Sequence, residues 1–226
     1  MTDFITGFIP NFARASGELQ RSIIQTLQMV AGSGIISFVL GVVLGVGLVV
    51  MRRGGILQNL ILYNVLDKAI NIIRSIPFLI LIILLIPLSR MIMGTAIGVT
   101  GAIVPLVIGT VPFFSRQVET AVSEVDRGLV EASIAMGFSP WQIIWRVYLR
   151  ESIPSLARVT QITAINLVNL ATLAGAIGAG GLGDFAIRFG HQQRMRDLMW
   201  LTIVIILVLV SVIQGVGNIV IKKTKH

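Results

Sequence analysis

An all-α integral membrane protein with five transmembrane helices, N-terminus outside and C-terminus inside, is the fold this sequence predicts. Three observations lead there. Hydrophobic residues make up 55% of the 226, charged residues only 12%, and mean hydropathy is +0.91. A soluble domain carries about 25% charge. Five apolar stretches, 23–51, 70–88, 92–114, 159–177 and 198–220, approach or exceed the ~20 residues a bilayer core requires. Between the third and fourth lies one long charged interruption, 115–157. No composition shift marks a second domain, so residues 1–226 form a single transmembrane domain with 115–157 as a loop within it.

The first stretch is too long for a cleavable signal and lacks a small-residue cleavage site behind a basic leader. Gly41 and Gly45 form a small-xxx-small pair there, suited to close helix packing in lipid. Leu57, Leu60, Ile61 and Val65 recur at helical spacing amid polar residues. They predict an amphipathic helix over 56–68, lying on the inner surface or extending the second span. The second span is long enough only if it reaches back to Ile70, which places Arg74 in its first turns; a long arginine snorkels to the interface. In the third, Gly94 and Gly98 form another small pair, and Pro105 and Pro112 free backbone carbonyls and predict a bend.

Basic residues set the orientation. With the N-terminus outside, the inner side receives Arg52, Arg53, Lys68, Arg74, Arg116, Arg127, Arg146, Arg150, Arg158, Lys222, Lys223 and Lys225, and six of the eighteen Lys and Arg stay outside. Positive-inside bias favours this arrangement. Contact with anionic membrane lipid accounts for the net charge of +8 without nucleic acid.

The polar loop carries the most specific local chemistry. Gly137 is placed to end one helix, Ser139 to cap the next, with Pro140 at its first position and Gln142 completing a capping box. Phe138 can staple onto Ile143. Trp141, Ile144, Trp145 and Tyr148 then recur at i, i+3, i+4 and i+7, one stripe of an amphipathic helix. Such a stripe outside the bilayer suits docking against a partner or adsorption to headgroups.

The fourth span holds Thr160, Thr163, Asn166, Asn169 and Thr172. Asn166 and Asn169 share a face approximately, and neither belongs in hydrocarbon without hydrogen bonds. They are either glue between helices or the lining of a passage for a zwitterionic solute. Leu170 and Leu173, one face over, can form an apolar constriction that closes by dewetting.

Other chemistry is absent from the sequence. There is no phosphate-binding G-x-x-x-x-G-K-[ST] loop and no cysteine. His191 and His226 have no carboxylate partners in sequence that suggest catalysis or a metal, so no catalytic residue, metal or cofactor is expected. The acidic residues are expected in loops, apart from Asp67, which argues against a proton-coupled secondary carrier; internal repeats are missing too. A membrane scaffold would explain the loop but not the polar fourth span.

Glu131, Ala132 and Ser133 followed by Gly137 resemble the EAA signature of ABC importer permeases. Arg74 to Phe78, Gly101 to Leu106 and the run Gly175 to Gly183 are similar to methionine ABC permeases, a resemblance that extends over nearly the whole chain. The family's I-x-L-P tetrad falls on Val147, Tyr148, Leu149 and Arg150, so arginine replaces proline and leaves the end of the second loop helix unset. The resemblance implies a type I ABC importer permease fold in a bacterial cytoplasmic (inner) membrane. It implies a homodimer with two ABC ATPase subunits, an extracytoplasmic solute-binding protein, and import of methionine of either enantiomer. Glu131, Ala132, Ser133, Gly137, Ser139, Trp141, Ile144, Trp145 and Tyr148 would couple to the ATPase, and Asn166, Asn169, Leu170 and Leu173 would line the path. The alternatives are another small amino acid or peptide-like solute, and a secondary carrier.

Overall fold

The computed structural model describes residues 11–224, so His226 and Lys225 lie outside the described residues. All regular structure among the described residues is helical. Four helices are long and apolar enough to cross a membrane: 14–51 within α1 (Phe12–Met51), α5 (Gly98–Ser123), 153–179 beginning in α9 (Ile153–Ala174), and α11 (Arg196–Thr224). The first starts well before residue 23, because Phe12 to Arg21 holds no helix breaker except the tolerated Gly17.

The second predicted span is not one helix. It divides into α2 (Leu60–Ser75), α3 (Phe78–Leu84) and α4 (Ile86–Met93). Ile76 is extended at φ −84°, ψ 122°, the conformation favoured before a proline such as Pro77, and this ends α2. The amphipathic segment therefore begins at Leu60, where the Asn59 side chain accepts from the Leu62 amide at 3.1 Å, and runs on through Arg74. Ile92 belongs to α4, so the third span starts later than the hydropathy suggests. Gly94 and Gly98 are not a packing pair either. Both have φ +74°, and a Cβ on either would meet nothing within 4 Å, so they serve the turn between α4 and α5. α5 runs unbroken through Pro105 and Pro112 to Ser123, well into the predicted loop.

The chain divides into two compact units. Among the described residues, the first comprises 11–35, 77–107 and 164–214. Its cores gather Met29, Leu106, Leu167 and Ala171, and separately Leu19, Leu182, Phe185 and Leu198. The glycine-rich run makes its tightest joint. A Cβ on Gly183 would sit 1.9 Å from the Thr172 carbonyl oxygen, so only glycine allows this approach. α10 (Gly181–Phe185) begins there, and its first free amides are satisfied by α1: Gly181 N–H donates to Gln25 Oε1 and Leu182 N–H to Thr26 Oγ1, both at 2.8 Å.

The second unit comprises, among the described residues, 36–76, 108–163 and 215–224. Gly41 and Gly45 do pack closely here: Cβ atoms on them would lie 2.4 Å from the Phe114 ring and 2.6 Å from the Ser115 carbonyl. The core joins Val46, Val49 and Val50 of α1 to Phe114, Val118 and Val122 of α5. Asp67 of α2 and Glu119 of α5 both pair with Arg116, which also donates to Asn71. Carboxylates thus lie on helices as well as in loops, since an arginine on the same or a neighbouring helix neutralises them.

Candidate coupling loop and polar span

α6 (Arg127–Ala135) opens with Asp126, whose Oδ1 accepts from the Gly128 amide at 2.6 Å. Glu131 and Ala132 sit exposed on it, while Ser133 is buried and its hydroxyl donates to the Leu129 carbonyl at 2.7 Å. Ser133 is thereby occupied by its own helix. The helix closes as a Schellman motif: Phe138 N–H donates to the Ser133 carbonyl at 3.0 Å and Gly137 N–H to the Ile134 carbonyl at 2.9 Å. Gly137 has φ +78°, where a side chain is strained.

The next helix starts at once. In α7 (Pro140–Ile143), Ser139 N–H donates to Gln142 Oε1 at 2.8 Å and Gln142 N–H to Ser139 Oγ at 3.4 Å, a complete capping box. Phe138 packs against the core cluster that holds Ile143. All of this follows from residues within a few positions of one another.

The predicted four-residue stripe is split by the structure. Trp141 and Trp145 are each 67% exposed, whereas Ile144 and Tyr148 are 7% exposed and lie in the chain's own core with Ile143 and Val147. Two causes combine. Residues Ile144–Tyr148 form a π-helical turn, which shifts the register after Trp141. Apolar residues at 143 and 147 also offer a neighbouring face, and that face meets α1, α5 and α6. The exposed surface left for a partner is Trp141, Trp145, Glu131, Ala132 and the turn at Gly137 to Ser139. Arg150 is exposed on α8 (Leu149–Glu151) and does not prolong that helix. Ser152, at ψ 1°, ends it and donates its hydroxyl to the Tyr148 carbonyl at 2.6 Å; Pro154 then lies in the first turn of α9.

Tyr148 touches a feature the sequence did not reveal. With Arg52, Arg53, Arg127 and Glu131 it lines a cleft of about 200 Å³. Burial pushes its phenol above the ordinary value of 10.0, and the charges of Arg52 and Arg127 act in the opposite sense. The Arg52-Arg53 pair was the available signal, although in sequence it resembles any basic anchor at a span's end.

On α9, Thr160, Thr163 and Thr172 donate to carbonyls four residues back, at 2.7 to 2.8 Å. Asn166 is half-buried and Asn169 exposed, and neither amide bonds to another described residue. Leu170 is half-buried against the core, while Leu173 is 43% exposed. The threonines are therefore spent on their own helix. The two asparagines remain the available amides of this span.

Residues 37–226 match the family described as binding-protein-dependent transport system inner membrane component. The chain belongs to this family. It is a multi-pass protein of the bacterial inner membrane and a component of a transporter. It is 44% identical over 215 residues to a probable D-methionine transport system permease protein of Vibrio cholerae, covering 95% of this chain and 96% of the relative. A probable D-methionine transport system permease protein of Haemophilus influenzae is 37% identical, covering 93% and 99%. Among solved structures, a chain of the inward-facing MetNI methionine ABC transporter superposes with a TM-score of 0.92 at 41% identity, covering 94% of this chain and 99% of that one.

Proposed function

We propose that this chain is the membrane-spanning permease of an ATP-driven methionine importer. The observation that carries this is the match along nearly the whole chain, at 41% identity, to a chain of a methionine ABC transporter. Two copies related by a two-fold axis enclose the path, with two separate ATPase subunits beneath them and an extracytoplasmic binding protein delivering the solute. The segmented region from Leu60 to Met93 completes the fifth crossing, and the N-terminus lies outside.

Energy enters through the loop between α5 and α9. Trp141 and Trp145 supply rigid apolar area on one exposed helix face, the residue type that anchors protein interfaces. Glu131, Ala132 and the Gly137 turn flank them. Ser133, Ile144 and Tyr148 act from inside the chain, holding that face in position. The chain has no phosphate-binding loop of its own, so ATP hydrolysis belongs to the partner.

Asn166 and Asn169 offer donors and acceptors to the ammonium and carboxylate of a passing amino acid. Leu170 and Leu173 offer apolar surface to a thioether and close the path when it dries. The decisive experiment co-purifies the chain with its ATPase and binding protein and measures solute-stimulated ATP hydrolysis across an amino-acid panel. Stimulation by either enantiomer of methionine is expected. Stimulation by another small amino acid or peptide, with none by methionine, would replace the substrate assigned here.

A further inference from the structure

The cleft beside Tyr148 has the makings of an anion site. Arg52 and Arg53 reach it from the end of the first helix and its turn, Arg127 from the first turn of α6, and Glu131 from the following turn. Arg52 Nη1 donates to Ser123 Oγ at 2.9 Å, which fixes that guanidinium. None of the three arginines lies within salt-bridge distance of a carboxylate among the described residues. Tyr148 is 7% exposed, and its hydroxyl has no hydrogen-bond partner among them. Three guanidiniums with no carboxylate partner line one hollow and give it a positive potential, and the Tyr148 hydroxyl is a donor with no acceptor among the described residues. An anion in the hollow offers acceptors to both. Glu131 reduces the positive charge of the lining without cancelling it.

We propose that this cleft binds a phosphate group, held by Arg52, Arg53, Arg127 and the Tyr148 hydroxyl. Phosphate fits better than carboxylate, because its several oxygens can serve several guanidinium forks and a phenol at once. The phosphate comes from an anionic lipid headgroup or from free phosphate. Either source ties the end of the first helix to the helix that carries Glu131. The site does not depend on methionine being the transported solute.

The test uses the full-length chain in dodecyl maltoside and native mass spectrometry with phosphatidylglycerol, phosphatidylcholine and inorganic phosphate. Wild type is expected to retain phosphatidylglycerol over phosphatidylcholine, with inorganic phosphate competing. A chain that binds inorganic phosphate with no lipid preference makes free phosphate the source and equally supports the site. The double variant Arg53→Gln/Arg127→Gln should weaken phosphate binding about tenfold or more. Tyr148→Phe, which removes one oxygen and keeps the shape, should weaken it about fivefold and serves if the double variant does not fold. Equal binding by wild type and Tyr148→Phe overturns the site. So does a double variant that loses a co-purifying protein partner while binding phosphate as before, since acidic side chains of that partner would then be the occupant.

Discussion

The amide of Phe138 donates to the carbonyl of Ser133 at 3.0 Å, across a glycine whose φ is +78°. That bond ends α6 and places the Ser139 cap where α7 can begin. Replacing Gly137 by valine forces a β-branched side chain into the left-handed region, at about 1–2 kcal/mol or more. The break should then open or unwind. The variant is expected to insert in the membrane normally and to lose its ATPase on co-purification. An unchanged yield of complex would remove this turn from the coupling site.

Single cysteines at Ser139 and Gln192 test the topology, because the chain has no native thiol. With five crossings and the N-terminus outside, membrane-impermeant maleimide should label them from opposite faces of the membrane. Labelling of both from one face would show that α9 does not cross between them and would overturn the five-span arrangement.

The local joint was legible in the sequence because caps and Schellman turns are decided by residues within a few positions. The long helices were legible from hydropathy alone. The second span was not, since its hydropathy runs across Pro77, and one backbone constraint at Ile76 outweighs it. The Trp141 stripe misled for another reason: Ile144 and Tyr148 are apolar whether they meet a partner or their own core. Only tertiary packing and the π-turn decide between those outcomes. The arginine cleft was hidden likewise, because Arg52 and Arg127 are distant in sequence.

Asn169 is exposed and bonds to no described residue. Asn169→Leu should therefore leave the yield of folded dimer and basal ATP hydrolysis close to wild type while slowing methionine uptake severalfold. A fall in dimer yield at preserved uptake per dimer would assign the amide to packing between copies.

The Tyr148 phenol gives a pH signature. Its folded-state value lies above the ordinary 10.0 because burial disfavours the phenolate. Its contribution to stability is thus complete below the ordinary value. It is lost as pH rises from there through the folded one, where the unfolded chain releases the proton first. In Tyr63→Phe, the other of the two tyrosines is removed, and ultraviolet titration should show a single phenol ionising above its ordinary range. Ionisation at or below the ordinary 10.0 would mean that the ring is solvated.

The joint between Ser133 and Gln142 is tied by hydrogen bonds within the chain, from the Phe138 amide to the reciprocal Ser139–Gln142 pair. Nothing in it awaits a partner to become ordered, so contact there carries little entropic penalty. A hinge made of loose backbone would soak up an applied displacement. This one behaves as a bracket: a push on Trp141 arrives at Ile143, and through it at the ends of the long helices, with little lost to bending.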